Sequence, residues 1–305
     1  MDHKGLPLYT QDQISEYFHR INWTESENGL LDKSDLLEKL VRRQLAHVPF
    51  ETLALHYSTT KKISLDHMDL FEKIVSRRHG GYCLENNIFF GTVLRSLGFL
   101  VVPVVCRISM ASRGVYDGSW RPMSHMANIV VLDDQRFLVD VGYGVDGPSL
   151  PLPLRSGEVK LGLPSQELKL EHKVLPQYQD ANQRQWIYCQ HRGTDAWSEV
   201  YHFAEAEFLL ADFEILNHYN MTQSLWSRTV LAQNFLLDED GCPAGTTMLL
   251  RNQLVVDNKG LRHTYTFDTE TQRIEALEKY LGIRFSPEEQ KGISGSPSEL
   301  TGPRA

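Results

Sequence analysis

Residues 80–87, Gly80-Gly81-Tyr82-Cys83-Leu84-Glu85-Asn86-Asn87, run on as IFFGTVLRSLGFLVVPVVC to Cys106, and the period of the chain changes within this stretch. The paired glycines let the backbone turn sharply and leave space beside it. From Cys83 to Leu97 the pattern predicts a helix, with Gly98 in the C′ role that ends it. From Phe99 the period becomes that of strands. VVPVVCRIS (101–109), MANIVVL (126–132) and RFLVDVG (136–142) are short, β-branched runs bounded by turn residues.

Upstream, the pattern predicts helices. Thr10 is placed to cap a segment with Ile14, Tyr17, Phe18 and Ile21 inward. Ser34 is placed to cap the next, with Leu37, Leu40, Val41 and Leu45 on one face until Pro49 stops it. A third helix is expected over Asp66–Arg78. Downstream, LKLEHKVL (168–175) and QWIYCQH (185–191) read as strands, and a helix is expected around Glu205–His218. Further strands are expected within 229–268, turning at Asp238–Gly241 and Asp257–Gly260, and a last helix over Ile274–Leu281. The tail from Ser286 is rich in Gly, Ser and Pro and is expected to be mobile. The order is helices, then antiparallel sheet, then a mixed segment, which is an α+β chain.

Composition excludes several function classes. Lys plus Arg number 31 against 39 Asp plus Glu, a net charge of −8. Nucleic-acid binding needs clustered cations, so none is expected, and an anionic ligand must find a local basic pocket. The cysteines, at 83, 106, 189 and 242, form no C-x-x-C pair, and no H-E-x-x-H is present, so no metal is expected. Walker and G-x-G-x-x-G loops are also missing from the sequence. The opening MDHKGLPLYTQDQ has no apolar core of a secretory signal, and Phe99–Cys106 is too short to span a bilayer. A cytoplasmic, reduced protein with no membrane partner is expected.

Chemistry concentrates at three residues. Cys83 falls on the first turn of its helix, where orphan N–H groups and the positive dipole end favour the thiolate that a nucleophilic cysteine must be. A buried structural cysteine after a Gly-Gly turn is the ordinary alternative. If Asp133-Asp134 is a two-residue hairpin loop, Leu132 faces Gln135 and His125 comes opposite Gly142. Asp140, two residues back, then shares its face with His125, roughly 7–8 Å away by backbone. A carboxylate there can orient the imidazole, and the imidazole can take the thiol proton.

These residues resemble the arylamine N-acetyltransferase family. The similarity is carried by VPFETLALH (48–56), GGYCLENN (80–87), LRSLGF (94–99), SHMANIVV (124–131) and LVDVGYG (138–144), and more loosely by FEILNHYNMTQS (213–224). The resemblance implies a helical bundle over 1–98 bearing the cysteine, an antiparallel β-barrel over 99–215 bearing His and Asp, and an α/β lid over 216–305. It implies Cys83 as acylated nucleophile, His125 as base and Asp140 as orienter. Tyr143 and Ile108 would shape the acceptor pocket, and Thr222 would lie near the donor. It implies acetyl-CoA or another acyl-CoA (propionyl or malonyl, as in some fungal members) as co-substrate. The acceptors implied are arylamines, arylhydrazines or N-hydroxyarylamines. Arg228 or Arg262 are the kind of basic residue that could hold the donor's phosphates. The chain departs from the family in having His79 where an Arg directly precedes the Gly-Gly pair. The same Cys, His, Asp order also occurs in thiol hydrolases and transglutaminase-like enzymes, and a catalytically silent binder is a further alternative.

Overall fold

A computed structural model describes residues 5–23, 31–110, 118–193 and 196–302. Helix α1 (Gln11–Arg20) starts at Thr10, whose side chain takes the Gln13 N–H while Gln13 answers the Thr10 N–H. Helix α2 (Lys33–His47) starts before Ser34, because the Asp32 carboxylate accepts from the Asp35 N–H at 2.8 Å and so caps it. A two-residue strand β1 (Phe50–Glu51) and a single turn α3 (Ala54–Tyr57) follow Pro49. Helix α4 (His67–Phe71) is capped by Asp66 and widens into a π turn over Glu72–Ser76 in place of the continuous helix expected. Helix α5 (Cys83–Ser96) is buried without interruption from Cys83 to Leu94, and it is ended by Leu97 and Gly98, the latter at φ +83°.

Eight strands follow: β2 (Leu100–Ser109), β3 (Trp120–Leu132), β4 (Gln135–Val139), β5 (Leu152–Pro153), β6 (Val159–Leu161), β7 (Gln166–Val174), β8 (Arg184–Arg192) and β9 (Ser198–Phe203). They form one antiparallel sheet in the order β5-β4-β3-β2-β9-β8-β7-β6. The sheet curls into a nearly closed barrel: Ser156 bridges Leu170, and Leu150 and Leu152 share one buried core with Leu168 and Leu170. The β3–β4 hairpin pairs Leu132 with Gln135 and Asn128 with Val139, the register of a two-residue loop.

Helix α6 (Leu210–Gln223) lies five residues later than expected, because Asp212 caps the Leu209 N–H and nothing breaks the helix before Ser224. Strands β10 (Leu231–Leu237), β11 (Pro243–Leu250), β12 (Gln253–Asn258) and β13 (Leu261–Thr266) extend β1 into a second sheet, backed by α7 (Glu270–Leu281). The architecture is α+β, with a helical bundle, an antiparallel barrel and an α/β lid. The division drawn at 215/216 falls inside α6, and β1, from the first hundred residues, is an edge of the last sheet.

The tail differs from expectation. Pro287–Gly292 form α8, Ile293 is buried in the core beside Tyr57 and Leu281, and Thr301 bridges Thr269. Gly292 is needed there because a Cβ would lie 1.9 Å from the Tyr57 carbonyl oxygen. Arg273 donates to the Ser298 carbonyl at 2.9 Å, so residues 286–302 are fastened rather than mobile.

Candidate active site

The first turn of α5 is held by β1: the Glu51 N–H donates to the Gly81 carbonyl at 2.9 Å, and the Gly81 N–H to that of Pro49 at 3.2 Å. Gly80 is there for close approach, since a Cβ would lie 1.8 Å from the Pro49 oxygen. This clasp delivers Cys83 to the first position of α5, where its thiol points at the Ser124 carbonyl, 3.7 Å away.

Ser124 directly precedes His125 on β3. Nε2 of His125 lies 2.7 Å from Oδ2 of Asp140, and both side chains are fully buried. The route to this contact differs from the expected one. The β3–β4 ladder stops at Asn128–Val139, so His125 does not face Gly142; it pairs with Cys106 of β2. Beyond Val139 the chain leaves the sheet and crosses to α5. Asn87, one turn after Cys83, catches it there. The Asn87 amide donates to Oδ1 of Asp140 at 2.9 Å and to the Met126 carbonyl at 2.7 Å, and it accepts the Val141 N–H at 3.1 Å. Oδ1 of Asp140 also takes the Gly142 N–H at 2.9 Å.

The electrostatics follow from this packing. Burial works to lower the His125 basicity, but the Asp140 charge, their hydrogen bond and the contact with Cys83 outweigh it and lift His125 to about 10. Burial works to raise the Asp140 carboxyl, yet His125, Asn87 and the Gly142 N–H hold it below the usual carboxylate range. His125 and Asp140 are therefore an imidazolium–carboxylate pair at neutral pH.

The other expected residues fall at varied distances from this centre. The Tyr143 ring meets the His125 ring edge-on at 5.1 Å, and Tyr201 lies 5.2 Å from His125 and 5.3 Å from Tyr143. Tyr201 was not singled out by the sequence. Ile108 pairs with Tyr201 across β2 and β9. Thr222 is exposed on α6, its hydroxyl donating to the His218 carbonyl at 2.7 Å. Arg228 and Arg262 are both exposed. Asn220, on the same helix, reaches the site instead: its amide donates to the Ser124 carbonyl at 2.9 Å and lies 3.9 Å from the Cys83 sulfur. A buried Asn in a helix gives no pattern signal, so neither Asn87 nor Asn220 was predicted.

A second buried ionic group sits under the Gly80-Gly81 loop. Lys73, within the π turn, lies 3.0 Å from Glu51 and 2.7 Å from Glu85. Glu85 also takes the Tyr82 N–H at 3.0 Å. His79 is buried and hydrogen-bonded to the Arg284 carbonyl at 2.8 Å; burial holds its pKa below the ordinary value, so it is neutral. Arg20 secures the carbonyls of Ile74, Arg78 and His79 at 2.8, 3.1 and 3.2 Å. A cavity of about 190 Å³ on this side of the loop is lined by Lys73, His79 and Glu85, not by the three catalytic candidates. Among the described residues, no group of His, Cys, Asp and Glu is arranged to hold a metal ion. No helix among them is long and apolar enough to cross a membrane.

A family model described as N-acetyltransferase matches residues 34–290. The chain belongs to the arylamine N-acetyltransferase family. It is 32% identical to an N-malonyltransferase FDB2 of Fusarium pseudograminearum, across 94% of this chain and 93% of that one. Its fold superposes on the arylamine N-acetyltransferase of Salmonella typhimurium with a TM-score of 0.78 at 23% identity, covering 93% and 98% of the two chains. It superposes on that of Mycobacterium marinum in complex with CoA with a TM-score of 0.75 at 22% identity, covering 92% and 98%. As a family member the chain is an N-acyltransferase, which implies an acyl-CoA donor and a small-molecule acceptor.

Proposed function

We propose that this N-acyltransferase works by double displacement, carrying the acyl group on Cys83 from acyl-CoA to an arylamine, arylhydrazine or N-hydroxyarylamine. The observation that carries the reading is the buried 2.7 Å His125–Asp140 pair beside a cysteine at a helix start. His125, paired with Asp140, already holds the proton given up by Cys83, and the sulfur attacks the thioester carbonyl. A new carbon–sulfur bond forms, the bond to the CoA sulfur breaks, and His125 returns the proton to the departing thiolate. The exchange replaces one thioester by another, so it is close to balanced in energy. The amine then attacks, and His125 accepts its proton as the tetrahedral adduct collapses to amide and Cys83 is freed. Asp140 orients the ring and offsets its charge throughout. Tyr143 and Ile108 shape the acceptor side, and the donor enters between barrel and lid past Thr222. The role is xenobiotic detoxification in the cytoplasm. The likeness to a protein named as an N-malonyltransferase supports malonyl beside acetyl as the acyl group.

The test mixes protein with acetyl-, propionyl- or malonyl-CoA alone. A mass gain of one acyl group, mapped by digestion to Cys83 and discharged by an arylamine, is expected, with parallel lines in double-reciprocal kinetics. Intersecting lines with no trapped acyl-protein in an active sample would indicate direct transfer and remove Cys83 from its role. Steady amide hydrolysis without CoA would indicate a thiol hydrolase.

A further inference from the structure

Attack of a sulfur on a thioester moves the carbonyl π pair onto oxygen, and the negative charge made there needs donors fixed in advance. A useful donor sits roughly 2.7–3.1 Å from the oxyanion position. One candidate comes with the helix: the N–H of Cys83, at the first position of α5, is among the orphan donors of a helix start. A second, independent one is a side chain. Asn220 is 2% exposed and lies on the inner face of α6 with Phe213 and Asn217. That face is pinned, because Asn217 accepts the Tyr82 hydroxyl and donates to the Ile63 carbonyl at 3.0 Å.

The orientation of the Asn220 amide is settled by its partner. Only its nitrogen can donate to the Ser124 carbonyl, 2.9 Å away, so Nδ2 and not Oδ1 faces the site. Nδ2 carries two hydrogens. One is used by Ser124, and the other is free to address the sulfur at 3.9 Å. The carbonyl oxygen of a thioester on Cys83 would be two bonds from that sulfur, within the span of a donor held 3.9 Å from it.

The geometry points to Asn220 as a catalytic residue: with the Cys83 N–H, its Nδ2 forms the oxyanion hole for acyl transfer at Cys83. This inference rests on the acyl-transfer reading above. When the sulfur attacks, the new carbon–sulfur bond forms and the π pair moves to oxygen between the two N–H groups. When the oxyanion collapses, the pair returns and the donor's thiolate leaves with the proton held by His125. Asn220 itself exchanges no proton. It is preorganised by its hydrogen bond to the Ser124 carbonyl.

The experiment separates oxyanion stabilisation from mere support of the nucleophile. Asn220→Ala and Asn220→Leu, the second preserving most of the volume, are compared with wild type in two single-turnover reactions of Cys83. Acylation by acetyl-CoA or by p-nitrophenyl acetate passes through an oxyanion. Alkylation by iodoacetamide displaces iodide at a saturated carbon and does not. Acylation should fall on the order of 10²-fold in a variant with intact melting, while alkylation stays at the wild-type rate. Equal acylation rates in wild type and variants, or acylation and alkylation falling together, would overturn the assignment. If wild type is acylated by the ester but by no acyl-CoA, the donor reading fails, and the ester arm still decides the role of Asn220.

Discussion

On one side of the first turn of α5, His125 and Asp140 face each other at 2.7 Å, and His125 also interacts with the Cys83 thiol. On the other, Lys73 reaches Glu51 at 3.0 Å and Glu85 at 2.7 Å, and no hydrogen bond joins this group to the sulfur among the described residues. Both groups are buried and both pair a cation with carboxylates. They differ in what they hold. The first keeps a proton available beside a reacting atom. The second fixes the loop that places that atom: Glu85 takes the Tyr82 N–H, and Glu51 lies on the strand that clasps Gly81. A buried ion pair gains little over a well-packed apolar substitute, but removing one partner strands a charge. The same kind of interaction therefore serves reactivity on one side and geometry on the other.

The sharpest way to break this comparison is to damage each side and ask what is lost. Asp140→Asn keeps the shape but removes the countercharge, and the amide can hold the wrong imidazole tautomer. Loss of kcat/KM on the order of 10⁴-fold is expected in a protein that still folds. Near-normal turnover in folded Asp140→Asn would end the triad assignment. Lys73→Met should act on the other axis, lowering unfolding free energy by about 3–5 kcal/mol because Glu51 and Glu85 lose their shared cation. Activity per folded molecule should change far less. A Lys73→Met protein of unchanged stability and depressed turnover would put Lys73 in the chemistry instead.

Legibility in the sequence followed the range of the interactions. The helix of Cys83, its end at Gly98 and the Asp133-Asp134 hairpin rest on local pattern, and all three are found. Hairpin parity predicts the His125–Asp140 contact, but it is only partly how the chain makes it. Asp140 lies past the end of the β3–β4 ladder, carried to His125 by Asn87 from α5, and that cross-element amide leaves no periodic trace. Strands β1, β5 and β6 are two or three residues long, too short for alternation to register. The tail looked mobile by composition, yet its fastening depends on Tyr57, Arg273 and Glu270, which are distant in the chain. Lys73 was concealed for a related reason. Its partners, Glu51 on a two-residue strand and Glu85 on the next helix, leave no mark in the local pattern around it.

The smallest expected effect separates the two ionic groups by pH. Burial, with the Glu51 charge, outweighs the opposing pull of Lys73 and lifts the Glu85 carboxyl to about 7. A group raised in the folded state gives stability that is fully present below its unfolded pKa and is lost as pH rises through the folded value. For Glu85 that window runs from the ordinary carboxylate range to about 7. His125, raised to about 10, has the same sign but a later window, beginning near neutrality. Glu85→Gln removes the first and leaves the second. The amide brings a constant offset of its own, since one of its two ends must face the Lys73 or Tyr82 donor wrongly. The difference between variant and wild type is therefore the quantity to follow. Measured by denaturant unfolding at pH 5, 6, 7 and 8, Glu85→Gln should gain on wild type as pH rises, by roughly 1–3 kcal/mol in total. The gain should be nearly complete by pH 8, before most of the His125 window is crossed. A flat difference, or one that moves against the variant, would mean that Glu85 is ionised throughout and that Lys73 neutralises it as fully as Asp140 is neutralised by His125.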